Sequence, residues 1–347
     1  MRRKLTGALV LMVLGSIVPT AGALPRGARV ETYQGGLAFP VDMAWVPGTK
    51  KIFFTEKGGA VRVMVRGRLL ASPCVTLDVD SSGESGALGI ALHPRFARNH
   101  KLYVFYTNNI PHENRVTSFV VRRNRCGSPN HVVTGLNAST GYHNGGQIEF
   151  AGGKLFVATG EDHNPAAAQL TTNRLGKILR YNANGTIPID NPFGASNPVW
   201  SYGHRNPFGL AHKPGTNKLY SSENGQNCDD ELNHIVKGRN YGWGANYQCG
   251  TAGVGVRPKP PIRRWTNIIV PTDVTWYRGR LKSLNGLLMG DYEYGRIHRF
   301  VMNDAKTKVR RDVIVHDALE GIVDVSKGPG GWLYFLTPTA IMRVVKP

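Results

Sequence analysis

One pattern recurs six times and constrains this chain more than any other feature: a short apolar run entered through a turn rich in Gly, Pro or Asn. The copies begin at Ile52, Leu102, Leu155, Leu219, Leu287 and Leu333, in steps of 50, 53, 64, 68 and 46 residues. A second apolar run follows each one, over 61–65, 116–121, 178–181, 232–236, 297–301 and 341–345. β-branched and aromatic residues suit these runs to strands, and helical periodicity is nearly absent. A lone hairpin cannot bury both of its faces, whereas units repeating at about 50 residues bury them by packing around an axis. The pattern predicts an all-β, six-bladed β-propeller with four-stranded antiparallel blades. Residues 29–33, ahead of the first copy, are expected to add a strand to the last blade and close the ring. A pair of β-sandwiches would leave six similar units unexplained.

The first residues stand apart from this repeat. Arg2, Arg3 and Lys4 precede an apolar run over 5–18, and Ala21-Gly22-Ala23 supplies small residues for cleavage. This reads as a secretory signal peptide over 1–23, leaving a single domain over 24–347, periplasmic or secreted. No other segment approaches the roughly 20 apolar residues that a membrane-spanning helix needs. The chain carries a formal charge of +20, spread among the strand-like runs with no long Lys/Arg block. That distribution suits contact with anionic surfaces and gives no support to specific nucleic-acid binding. Cys74, Cys126, Cys228 and Cys249 form no CxxC pair. In an exported protein an even count favours disulfides, and pairing Cys74 with Cys126 and Cys228 with Cys249 closes two local loops.

The longer steps hold insertions over 162–172, 188–202 and 224–250, and long loops on a rigid scaffold commonly carry function. No phosphate loop, zincin helix, nucleophile elbow or strand–GxGxxG–helix unit is present. His143 lies among glycines in Gly141-Tyr142-His143-Asn144-Gly145-Gly146, where a general base near neutral pH could meet a ligand closely. Glu161, in Gly160-Glu161-Asp162-His163, could orient that imidazole. Arg205 and Asn206, pinned by Pro207, could donate to the oxygens of a polar ligand. The acid-rich stretch 223–231 suits Ca²⁺, which takes oxygen ligands.

Several segments, in order, resemble the soluble glucose/sorbosone dehydrogenase family: GALGIALHPRF (86–96), HNGGQIEF (143–150), LGKILRY (175–181), GTIPIDNPF (185–193), YGHRNPFGL (202–210) and DDELNHIVKGRNYGW (229–243). The resemblance implies a six-bladed propeller that oxidises an aldose or similar polyol with pyrroloquinoline quinone and Ca²⁺, passing electrons to an external acceptor. It implies His143 as the general base, with Arg205 as its catalytic partner and Glu161 beside it. Glu84, Arg205, Asn206, Gly225 and Gln226 are implied to contact the cofactor. The carbonyls of Gly225 and Gln226 are implied to hold its Ca²⁺, and Glu231 and Tyr241 a structural Ca²⁺.

The sequence departs from the family pattern at three cations, a Lys on the fifth-blade strand and an R-x-R-D run leading into the sixth. Here those stretches read Gly290-Asp291-Tyr292-Glu293-Tyr294-Gly295 and Gly321-Ile322-Val323-Asp324-Val325. Other cations, Arg296 or Arg299, are then expected to face the pocket. Because a trianionic cofactor needs such partners, a second expectation is a catalytically degenerate propeller that binds a sugar, glycan or protein. A third, by fold analogy alone, is a Ca²⁺-dependent lactonase.

Overall fold

Each recurring pair of apolar runs forms the second and third strands of one blade. The computed structural model describes residues 20–318 and 320–346. Among them are six antiparallel sheets and only short helical turns, including Phe96–Asn99 and Pro165–Ala168. The innermost strands, which the repeat did not reveal, are Pro40–Trp45 in blade 1, Ala87–Leu92 in blade 2 and Gly145–Ala151 in blade 3. Pro207–His212, Pro271–Tyr277 and Asp324–Lys327 serve blades 4, 5 and 6. Consecutive inner strands neighbour one another, and blade 6 returns to blade 1, so the six surround an axis.

The expected closure is present. Arg29–Gly35 pairs antiparallel with Ala340–Val345, from Arg29 opposite Val345 to Gly35 opposite Ala340. Blade 6 is therefore built from both ends of the chain, which ties the ring shut through backbone hydrogen bonds. Apolar side chains of adjacent blades interdigitate: Phe53, Val61 and Val63 of blade 1 pack with Ile90, Leu102 and Val104 of blade 2. Both expected disulfides form, with Cα atoms 5.0 Å apart for Cys74–Cys126 and 6.1 Å apart for Cys228–Cys249.

Residues 1–19 of the expected signal peptide lie outside the described residues. Thr20–Ala21 pairs in parallel with Val313 and Ile314 on the outer edge of blade 5, a bridge that cleavage after Ala23 would remove. No described helix is long and apolar enough to cross a membrane.

Strand direction explains where the site must lie. The Gly/Pro turns that flagged the repeat join first to second strands, so they gather at one end of the axis. Loops leading into the inner strands, and the turns between second and third strands, gather at the other. Glu84, His143, Arg205 and Asn206 immediately precede inner strands, while Glu161 and Gly225 follow second strands. Six residues from five separate stretches thus meet at one mouth.

Candidate functional site

His143 sits in the left-handed region at φ 51°, strained for a residue with a side chain, and is almost fully buried. Its backbone is held from two sides. The His143 N–H donates to Glu84 Oε2 at 2.9 Å, and the loop lies so close to Gly160 that a Cβ there would fall 1.8 Å from the His143 carbonyl oxygen. Only glycine lets the two loops meet. On the ring, Nδ1 pairs with Glu161 Oε1 in a short contact, and Nε2 lies 2.9 Å from Arg205 Nη2. A guanidinium can only donate, so Nε2 is the acceptor and Nδ1 carries the proton, which it gives to Glu161. The basic lone pair therefore points into the pocket, with Arg205 resting on it.

Asp162 stabilises the loop ahead of this histidine. Its carboxylate accepts from Asn137 Nδ2 (2.7 Å), Ser139 N (3.0 Å), Ser139 Oγ (2.6 Å), Thr140 N (2.9 Å) and Thr140 Oγ1 (2.7 Å). Burial opposes ionisation, but the Ser139 and Thr140 bonds outweigh it and hold this carboxyl below its ordinary range. His163 stacks on Tyr142 at 5.5 Å and meets the His143 ring edge-to-face at 4.2 Å.

Arg205 Nη1 donates to the carbonyls of Asn224 (3.1 Å) and Gly225 (2.7 Å), and its guanidinium lies 5.4 Å over the Trp243 ring. Its backbone N–H donates to Glu223, whose other oxygen meets His204 Nδ1 at 2.9 Å, while His204 Nε2 reaches Ser201 Oγ at 2.9 Å. This Ser–His–Glu relay has the contacts of a hydrolase triad, but Ser201 and His204 are wholly buried, so it braces the Arg205 loop. Asn206 Nδ2 donates to Glu84 Oε2 at 3.0 Å, and Asn206 Oδ1 accepts from Gly145 N at 3.0 Å.

These groups border a pocket of about 460 Å³ at the mouth of the axis. His143, Glu84, Arg205, Asn206, Gly225 and Gln226 all line it. Phe39, Val41, Leu88, Phe208, Val270 and Val323 give it apolar walls. Sequence reasoning missed Lys57, Asp230 and Tyr292, which also line it. The turns that follow second strands were the available signal, since Lys57 and Tyr292 hold the same place in their blades as Glu161 and Gly225 do. Arg296 and Arg299 do not line it, contrary to expectation. Arg296 lies over Tyr294 and reaches Asp317 at 3.5 Å, and Arg299 contacts the Asn285 carbonyl, because the third strand of blade 5 lies away from the axis.

Behind Arg205 lies a second cavity of about 20 Å³, bordered by Glu223, Asn224, Gly225, Asp229, Glu231 and Tyr241. Asn224 Oδ1 and Asp229 Oδ1 are buried there without a hydrogen-bond partner. Burial and the neighbouring Glu223 push Glu231 up to about 8. The Tyr241 hydroxyl is committed to its own turn, donating to the His234 carbonyl at 2.7 Å and accepting from Val236 N at 2.8 Å. If Tyr241 ligates an ion, it must do so through its backbone carbonyl.

Six blades around an axis, with a carboxylate-backed histidine and an arginine at one mouth, define a propeller with the makings of a proton-transfer site. The chain belongs to the glucose/sorbosone dehydrogenase family, whose profile matches residues 37–346. It is 30% identical to aldose sugar dehydrogenase YliI of Escherichia coli over 93% of this chain and 94% of that protein. A glucose dehydrogenase-type oxidoreductase of Thermus thermophilus superposes with a TM-score of 0.83 at 33% identity, covering 92% of this chain and all of that one (100%). The pyrroloquinoline-quinone-bound aldose sugar dehydrogenase of Streptomyces coelicolor superposes with a TM-score of 0.76 at 27% identity, covering 93% and 99%. At family level, then, this is a sugar dehydrogenase propeller.

The residues present fit both groups that the family implies. A flat, anionic quinone suits a pocket with apolar walls and the cations Lys57 and Arg205, its carboxylates Glu84 and Asp230 being already engaged by Asn206 Nδ2 and by backbone N–H groups. Buried carboxylates, adjacent carbonyls and side-chain oxygens free of hydrogen bonds, in a cavity the size of one ion, suit a hard cation, with Arg264 sharing the charge of Glu231 at 3.5 Å and of Asp229 at 4.0 Å.

Proposed function

We propose that the chain is an exported oxidoreductase that oxidises an aldose or related polyol, dependent on pyrroloquinoline quinone and Ca²⁺. The observation that carries this reading is the orientation of His143, whose Nε2 lone pair faces the pocket while Nδ1–H is tied to Glu161. When bound, the quinone supplies the hydride acceptor and Ca²⁺ polarises it. His143 Nε2 takes the proton of the substrate hydroxyl. Glu161 keeps the ring in the competent tautomer and stabilises the imidazolium that forms. Arg205 must leave Nε2 for substrate to approach, and its guanidinium is then placed to stabilise negative charge developing nearby. The apolar walls exclude water, which strengthens each of these interactions. The carbonyls of Gly225 and Gln226 would hold the quinone's Ca²⁺, and Glu231 with the backbone of Tyr241 a structural Ca²⁺.

The test is a titration of the purified protein with the quinone and Ca²⁺, followed by aldoses and an artificial electron acceptor. A bound quinone that aldose reduces supports the reading. Absence of binding at micromolar concentration, with no aldose oxidised, overturns it and leaves a pocket for ligand capture.

A further inference from the structure

Among the described residues, Arg205 and Lys57 are the only Arg or Lys lining the mouth pocket, and they come from opposite sides of it. Arg205 precedes the inner strand of blade 4, and Lys57 follows the second strand of blade 1. In a six-membered ring those blades face each other across the axis. Val41, Leu88, Phe208 and Val323 give the same pocket apolar lining, and its two carboxylates are already engaged, Glu84 by His143 N and Asn206 Nδ2 and Asp230 by the N–H groups of Gly225, Ile269 and Val270.

The position of Lys57 is held tightly. Its N–H donates to the Phe39 carbonyl at 2.9 Å, and its carbonyl accepts from Ala87 N at 3.0 Å, so the backbone bridges the tops of blades 1 and 2. Its stem packs against Gly86, where a Cβ would fall 2.8 Å from Lys57 Cγ and 2.5 Å from its carbonyl oxygen. The ammonium donates to the Ser81 carbonyl at 2.8 Å. Among the described residues it makes no ion pair: the preceding Glu56 is bound to Arg62 at 3.1 Å, and Glu84 is occupied by His143 and Asn206. An ammonium on a fixed stem, with a neutral partner and donors to spare, is a waiting anion contact.

We propose that Lys57 binds a carboxylate at the far end of a flat aromatic polycarboxylate whose other end lies at Arg205 and His143. This rests on the proposed function and names the cation that takes over from those absent from blades 5 and 6. Lys57 fixes the ligand's direction across the axis, so that one edge alone meets His143.

Equilibrium titration of the full chain with pyrroloquinoline quinone in the presence of Ca²⁺, read by quenching of tryptophan fluorescence, tests this without turnover. Lys57→Met is expected to weaken binding about 10- to 100-fold, as loss of a charge-assisted contact does, and Lys57→Arg to stay within about threefold of the native protein. Phenanthrenequinone, flat and uncharged, should bind the native and Lys57→Met proteins alike. Equal affinity of those two proteins for pyrroloquinoline quinone overturns the role of Lys57 and leaves the proposed function standing. Failure of the native protein to bind that quinone at all overturns both.

Discussion

The two halves of the axis are built around the same six inner strands and differ in charge, the mouth mixing cations with carboxylates and the far chamber being acidic. The upper mouth holds His143, Arg205, Asn206 and Lys57 against apolar walls. The lower chamber, about 440 Å³, is lined by Asp42, Gln147, Glu149, Asp273 and Asp324. Asp42 accepts from Ile90 N and Met43 N, both at 2.7 Å; Asp324 accepts from Met43 N at 3.1 Å, and Asp273 from Gln147 Nε2 at 2.9 Å. Burial raises all three aspartates, Asp273 to about 6, and Asp42 and Asp324 are driven up further by the neighbouring negative charge of Asp273. Burial, with Asp273 and Asp42 nearby, raises Glu149 to about 8. The mouth takes its residues from loops and turns, where a left-handed His143 can be aimed; the chamber takes its residues from strand register, which fixes them facing one another. One half is arranged for a ligand, and the other links blades through acids whose ionisation burial opposes.

If the mouth alone is the reactive half, His143→Ala should lower aldose turnover about 10²- to 10⁴-fold while the quinone titration stays near native. A similar loss from Asp324→Asn, with the fold intact, would erase the distinction between the halves.

Calcium should act on the mouth alone. Added to chelator-treated protein, it should raise the melting temperature, because an ion bound only to the folded state contributes about 2.7 kcal/mol at a hundredfold excess over its Kd. Glu231→Gln should remove the structural ion's share of that response and Asp42→Asn should leave the response unchanged. No change in melting on chelation and restoration argues against any ion behind Arg205.

Gly160→Ala is expected to cost about 1–3 kcal/mol by overpacking against the His143 carbonyl, read as a lower denaturant midpoint. Because the strain falls on the His143 loop, turnover should drop by more than stability does. A neutral outcome would mean the loop has room that the contact denies.

The lower chamber should show itself in pH dependence. Its carboxyls titrate higher in the folded than in the unfolded chain, so the folded state binds more protons above about pH 4. Their stabilisation is present below the ordinary carboxylate range and is lost as pH rises through the raised values, at up to about 1.4 kcal/mol per pH unit for each proton. His298, raised by Asp291 and Asp312 against its burial, contributes with the same sign. Burial lowers His93, His234 and His316, which act with the opposite sign in both proteins, so the expected outcome is a difference: between about pH 5 and pH 7 the Asp324→Asn denaturant midpoint should gain relative to the native one as pH rises. Parallel slopes for native and variant would show that the chamber does not govern the pH dependence.

Much of the mouth was legible because its residues sit in loops whose composition is unusual: glycines around His143, a proline behind Arg205 and Asn206, acid concentrated near Glu231. The second and third strands were legible because fully buried hairpins read as apolar runs, and residues 29–33 could be assigned to closure because a ring leaves one strand unpaired. Lys57 was illegible as a site residue, since a lysine after a strand reads as solvated surface until the ring brings blade 1 opposite blade 4. Arg296 and Arg299 failed for the same reason in reverse, being close in sequence to a pocket strand but carried outward by the next one. The lower chamber was hidden as well, because Asp42, Gln147, Asp273 and Asp324 lie far apart and become neighbours only when six inner strands converge. By itself the sequence determined blade number and the residue types at the mouth, since these depend on local periodicity and turn chemistry, and it pointed to closure and to both disulfides by the strand left over and by the even cysteine count. Only the tertiary structure decided which charges face the axis, because that depends on strand order within a blade and on blades meeting across a ring.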